Sequence, residues 1–331
     1  MQQNGSRKES RLVGLTKYLL LVVAVVIFVL LSILQPKFCR INNIMNIVNS
    51  ATITALMAIG MTIVMETGEM NLAVGAEATI AAAVVGKLLE GPSFNNYFIA
   101  VIIGLLAAML VGSLNAFFVV KVGIPSFIGT IAMTTFINGF IKIVTGNRFM
   151  FSQYWPPAFS FLGQGKAFGI IPIPVILLII IAVITIIIQD RTRFGRYVNS
   201  VGVSPAACKN VGINTKRTIV FAYLLCSLIT GFCGIVLSSE VMTVSPTLGS
   251  DLLMSVFAAV MMGATFLRPG RYNIQGTIAA SLLLAIISNG TVSIGAADFV
   301  DDLIQGCIIL LAVGFISLTH KGGLPSVKFN K

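Results

Sequence analysis

Apolar stretches, each bounded by polar residues, glycine or proline, recur along the whole chain and constrain its fold more than any other feature. They run near residues 18–34, 46–65, 72–89, 97–120, 124–146, 171–189, 218–238, 252–267, 273–290 and 298–317. A helix needs about 20 mostly apolar residues to cross a bilayer, so the expected fold is an all-α polytopic membrane protein with about ten transmembrane helices. Composition agrees. Of 331 residues, 56% are hydrophobic and only 10% charged, against about 25% charged in a soluble domain. That balance excludes a soluble domain, a disordered chain, a nucleic-acid-binding module and a disulfide-stapled secreted domain. The third and eighth stretches are short and interrupted by Glu77 or Gly263, so either can be a broken or re-entrant helix instead of a full crossing.

The net charge of +11 is read first as topology. Arg7, Lys8, Arg11 and Lys17 precede the first stretch, which exceeds a usual signal-peptide core and has no small-x-small cleavage site before Gln35-Pro36. It is therefore taken as a retained first span. With the N-terminus inside and ten crossings, only Lys37, Arg40, Lys87, Lys142, Arg148 and Lys166 of the 22 basic residues fall outside or near outer helix ends. The inner side receives the rest, so both termini are predicted cytoplasmic. The expected organisation is an N-terminal tail (1–17), one transmembrane domain (18–317) with an outer loop (147–170) and an inner loop (190–217), and a C-terminal tail (318–331). The outer loop is rich in aromatics and holds the only tryptophan, Trp155; it reads either as an interfacial belt or as a docking surface for an external partner.

Much chemistry is missing. Cys39, Cys208, Cys226, Cys233 and Cys307 are scattered without a Cys-x-x-Cys, and His320 is the single histidine, so no metal cage is expected. No phosphate cradle is present: Gly163-Gln164-Gly165-Lys166-Ala167 lacks both the spacing and the hydroxyl. The chain is thus not expected to hydrolyse ATP, nor to be an enzyme or to carry a cofactor. An ion relay would leave carboxylates inside spans, and only Glu77 lies properly inside one. Small residues four apart, such as Ala78, Ala82 and Gly86, or Ser227 and Gly231, suit close helix packing. Asn49, Thr52, Asn115, Thr130, Thr134, Asn138, Ser288 and Asn289 either line a polar path or bond between helices.

The inner loop holds six basic residues against one acidic. Ser204 followed by Pro205 is an N-cap and first-turn signature, Ala206, Ala207, Cys208, Lys209 and Asn210 continue a helix, and Gly212 is a natural stop. A short amphipathic helix is expected there, flanked by Arg196 and Lys209, resting on anionic lipid headgroups or in a partner's groove.

The stretch FGRYVNSVGVSPAACKNVGINTKRT resembles the cytoplasmic coupling loop of ABC-importer permeases of the ribose, galactose, xylose and autoinducer-2 group. The matching positions are Gly195, Arg196, Gly202, Ala206, Ala207, Gly212 and Ile213. The stretch AIGMTIVMETGEMNLAVGAE is similar to a second pattern of that group, agreeing at Gly60, Met61, Thr62, Val64, Thr67, Gly68, Leu72, Val74 and Gly75. Similarity continues through 124–140, 245–271 and 276–290. Departures occur where the group's Gly-Ile-Asp-Leu-Ser reads Glu69-Met70-Asn71-Leu72-Ala73, at Glu77, and at Phe266-Leu267-Arg268-Pro269-Gly270-Arg271.

The resemblance implies a multi-pass permease subunit of the bacterial inner membrane that carries a small polar solute, most simply a monosaccharide. It implies three protein partners: a cytoplasmic ATPase subunit, an extracytoplasmic solute-binding protein and a second permease subunit. Gly195, Arg196, Gly202, Ser204, Pro205, Ala206, Ala207, Lys209, Gly212 and Ile213 would then form the ATPase contact. Glu69 and Asn71 join the polar residues above as candidates for the translocation path. A nucleoside or branched-chain amino-acid permease of the same superfamily, and a stand-alone ion-coupled transporter, remain alternatives.

Overall fold

The computed structural model describes residues 20–91, 96–151, 155–267, 270–297 and 299–319. Its helices are α1 (Leu20–Leu34), α2 (Ile41–Met65), α3 (Val74–Leu88), α4 (Tyr97–Val122), α5 (Ser126–Thr145), α6 (Pro157–Gln164), α7 (Ile173–Arg191), α8 (Arg193–Val203), α9 (Pro205–Asn210), α10 (Thr215–Val241), α11 (Leu253–Gly263), α12 (Ile274–Ser293) and α13 (Phe299–Thr319). The described strands form one small antiparallel hairpin, Lys166–Ala167 with Ile171–Pro172. Among the described residues, α2, α4, α5, α7, α10 and α12 are long and apolar enough to cross a membrane. The protein is therefore an all-α polytopic membrane protein. The third apolar stretch forms only the 15 residues of α3, a rise of about 22 Å, short of the roughly 30 Å hydrocarbon core.

Local chemistry explains the helix ends. Asn214 begins α10 by accepting the Arg217 N–H at 3.0 Å, and Asn273 begins α12 by accepting that of Gly276 at 2.7 Å. The last turn of α4 widens to a π-helix over Phe117–Val122 and ends at Gly123, whose φ of 87° suits a residue without Cβ. Pro125 follows two residues later and prevents continuation.

The described residues divide into two units, 20–58 with 255–319 and 59–254. The core of the second is α3, α4 and α10, brought together by small residues. A Cβ on Gly231 would overlap that of Ala108, and one on Gly234 would overlap the Ala78 carbonyl oxygen. Such close approach is how helices gain van der Waals contact where lipid removes the hydrophobic drive. In contrast, α4, α5 and α7 turn large apolar side chains outward, among them Leu106, Leu110, Phe136, Phe140, Ile180 and Ile184. Only 22% of the apolar window of α7 is buried, against 61% for α10. Outward apolar faces on this scale suit hydrocarbon.

The outer loop departs from the belt reading at Trp155. Residues Pro157–Gln164 fold as α6, and Trp155 is buried, packed edge-on against Phe159 with ring centroids 5.3 Å apart, beside Met150, Val244 and Leu89. Phe149, Phe151, Phe161 and Phe168 do stay exposed. Met150 and Val244, which pair their backbones across the loop, belong to the same buried cluster as Trp155.

In the other unit, Asn43 donates to Asn289 Oδ1 at 3.0 Å, and Leu31 fills the space over Gly290. Asn273 also donates to the carbonyls of Gly263 and Phe266, tying the end of α11 to the start of α12. Ser288 and Gln305 both donate to Asp301 Oδ2.

Candidate functional site

Two neighbouring regions of the larger unit carry the candidate residues. The first is the loop between α7 and α10, which forms two helices where one was expected. Thr192 caps α8 by accepting the Gly195 N–H at 3.3 Å, and Ser204 caps α9 by accepting that of Ala207 at 3.3 Å. Pro205 takes the first turn of α9. Gly212, at φ 79°, then closes it, while the Ile213 N–H bonds the Cys208 carbonyl at 2.9 Å. The expected helix, cap and stop are all present. The signal for α8 was available in Phe194, Val198 and Val201, apolar at helical spacing directly after the capping Thr192.

The ten coupling candidates separate by environment. Arg196, Pro205, Ala206, Ala207, Lys209 and Gly212 are exposed, Gly202, Ser204 and Ile213 are half-buried, and Gly195 is buried. Gly195 sits against the Gln189 carbonyl and Gly202 against the Glu66 carbonyl, each so closely that a Cβ would overlap the oxygen. Those two glycines therefore serve packing, and the exposed face belongs to the others. Val203 and Val211, both more than 70% exposed, lie on the same loop and were missed by sequence reasoning. Exposed valines next to Arg196 and Lys209 give the surface a mixed basic and apolar character.

The second region is the break between α2 and α3, residues 66–73, which is not helical for most of its length. Irregular backbone in a membrane protein must have its polar groups satisfied within the protein or line a cavity. Here neighbouring helices do that. Ser126 Oγ accepts the Met70 N–H at 3.0 Å, and Thr130 Oγ1 accepts that of Leu72 at 3.1 Å. Thr134 donates to the Leu72 carbonyl at 3.2 Å, and the Tyr223 hydroxyl donates to the Met70 carbonyl at 2.8 Å. The Ser126 hydroxyl also bonds the half-buried Glu69 side chain. On the other side the break meets α7 and α8: Gly202 of α8 lies against Glu66, and Gln189 Nε2 of α7 donates to Glu66 Oε1.

Behind the break lies Glu77, fully buried. Its Oε1 accepts from Asn71 Nδ2 at 3.0 Å and from Asn115 Nδ2 at 3.1 Å, while its Oε2 accepts from the Thr230 hydroxyl at 2.9 Å. Asn71 Oδ1 in turn accepts the Ala73 N–H at 3.0 Å, an Asx turn leading into α3.

The pathway candidates accordingly scatter. Asn71 and Asn115 converge on Glu77, and Glu69, Thr130 and Thr134 surround the break. Asn138 stands on α5, half-buried. Asn49, Thr52 and Asn289 belong to the other unit, where Thr52 bonds its own helix at Val48 and Asn289 holds Asn43.

Comparison with known proteins adds identity to this geometry. The chain is 30% identical over 295 residues to the ribose import permease protein of Escherichia coli (strain K12), covering 88% of this chain and 91% of that one. It is 30% identical over 289 residues to the ribose import permease protein of Bacillus subtilis (strain 168), covering 87% and 88%. It is 25% identical over 300 residues to the galactofuranose transporter permease protein of Escherichia coli (strain K12), covering 88% and 86%. No solved structure matches. The family described as branched-chain amino acid transport system / permease component matches residues 43–313. The chain therefore belongs to that family of transport permeases, and is a transport component, not an enzyme.

Proposed function

We propose that this chain is the membrane subunit of a binding-protein-dependent ABC importer that moves a monosaccharide across the bacterial inner membrane. The observation that carries the reading is near-full-length similarity to two ribose import permeases from different bacteria. A galactofuranose permease among the relatives widens the substrate class to sugars of similar size. The family's description mentions branched-chain amino acids, so these make the natural second substrate class.

In this reading about ten segments cross or enter the bilayer, both termini are cytoplasmic, and residues 18–317 form the transmembrane domain between two tails. The α8–α9 loop faces the cytoplasm and receives the ATPase subunit. Arg196, Lys209 and the exposed Val203, Pro205, Ala206, Ala207 and Val211 form the contact, with Gly212 setting the turn behind it. A mixed basic and apolar helix pair suits a groove on a partner. An extracytoplasmic binding protein delivers the sugar and a second permease subunit completes the pathway. Within the larger unit the path passes the break, where Glu69, Thr130 and Thr134 offer weak polar contacts, backed by Asn71 and Asn115.

The test is uptake into proteoliposomes carrying this chain, its ATPase and its binding protein, with labelled ribose, galactose and leucine offered in turn. ATP-dependent uptake of a sugar supports the reading. Uptake of leucine alone, or ion-driven uptake without the ATPase, overturns it.

A further inference from the structure

Glu77 is an ionisable side chain in the middle of a packed helix bundle, and nothing in the proposed transport cycle uses it. Among the described residues its partners are all neutral, and no ion pair reaches it. An apolar residue would fill this space at lower cost, because a buried carboxylate gives up its hydration. Ionisable groups inside membrane domains therefore invite a functional reading.

The contacts say what it does. Glu77 draws Asn71 from the break, Asn115 from α4 and Thr230 from α10 onto one carboxylate. Asn71 uses its amide NH2 for Glu77 and its carbonyl for the Ala73 N–H, so the same side chain that Glu77 holds also starts α3. The break has its other hydrogen bonds on α5, α7 and α10 and touches α8 at Glu66. Among the described residues, Glu77 is thus the ionisable side chain that hydrogen-bonds the break to the α3–α4–α10 core. The two departures noted in the sequence, an amide at position 71 and an acid at position 77, meet as hydrogen-bonded partners.

We propose that Glu77 is a positioning residue for transport: through Asn71 it latches the break between α2 and α3 to the helix core in the geometry that solute passage requires. The proposal rests on the importer reading above, and its test is built so that the two can fail separately.

The test compares E77A, E77Q, N71D and N71D/E77Q in proteoliposomes with the ATPase and binding protein, ribose as probe, and ATP hydrolysis recorded alongside uptake. Removing the latch in E77A lowers maximal uptake about tenfold at equal membrane abundance, with the KM for ribose unchanged and more ATP spent per ribose moved. E77Q keeps an acceptor oxygen for both asparagines and recovers most of what E77A loses. N71D sets two carboxylates face to face and lowers uptake at least as much as E77A. Exchanging acid and amide in N71D/E77Q rebuilds the pair and brings uptake to within about threefold of the original chain.

Uptake and ATP use by E77A equal to those of the original chain overturn the proposal, as does N71D/E77Q performing no better than N71D. If E77A does not accumulate in the membrane, the N71D and N71D/E77Q comparison decides. If the original chain moves no ribose, the importer reading for that sugar fails, and melting of the four purified variants in detergent still decides the latch. Recovery of the melting temperature in N71D/E77Q relative to N71D supports it, and simple additivity overturns it.

Discussion

The α8–α9 loop and the break between α2 and α3 are both irregular connections, touching at Gly202 and Glu66, yet they are built in opposite ways. The loop satisfies its backbone locally, with Thr192, Ser204 and Asn214 each capping a helix by accepting the N–H three residues on. Its outer face is left open, basic and partly apolar. The break satisfies its backbone from a distance, through Ser126, Thr130, Thr134 and Tyr223, and is closed from behind by Glu77. A surface that binds a partner needs only to keep its own shape, whereas irregular backbone within a membrane bundle needs partners from other helices.

Substitutions can break this contrast. The largest effect is expected at the core that supports the break. Gly234→Val forces a side chain into the Ala78 carbonyl and should cost on the order of 3 kcal/mol, read as loss of a monodisperse peak in detergent. If that variant folds and melts normally, the close α3–α10 contact is wrong. Next comes the junction of the two regions. Gly202→Val displaces α8 from Glu66, and uptake should fall severalfold while the chain still binds its ATPase in pull-down. Unchanged uptake would show that the loop and the break act independently.

Smaller effects belong to the loop itself. Ser204→Ala removes the α9 cap and should cost about 1 kcal/mol locally, seen as faster amide exchange over residues 205–210 with the break unaffected. The smallest is expected at the far end of α3. Glu90 accepts from Lys87 at 2.6 Å and from Arg148 at 3.1 Å, and the Lys87 hydrogen bond holds its carboxyl below the usual range. Its contribution is present above the ordinary glutamate value near 4.3 and is lost as pH falls through the lower folded value. Because the site is at the surface, Glu90→Gln should shift stability by less than about 0.5 kcal/mol at neutral pH, measured by thermal denaturation.

The same contrast governs what could be read from the chain alone. Ser204, Pro205 and Gly212 announce a helix through contacts within a few residues, and the structure has that helix. Apolar stretches long enough to cross reappear as helices with ends shifted by a few residues; the Asn214 cap, for example, starts α10 three residues before the apolar run. Glu77 was visible as an acid inside a span, but its partners stand at positions 115 and 230, and no local pattern joins them. Trp155 was misplaced for the same reason: its buried cluster includes Met150 and Val244, nearly a hundred residues apart. What lies within one turn is legible, and what requires three helices to meet is not.

The central claim is that the exposed α8–α9 face transmits the work of a separate ATPase. Measuring ATP hydrolysis and sugar uptake together in proteoliposomes for A207E/K209E, a variant altered only on that face, tests this directly. Uptake should be lost while the variant remains folded in the membrane and the ATPase still hydrolyses ATP. Normal uptake at a normal ratio of ATP to sugar would contradict it.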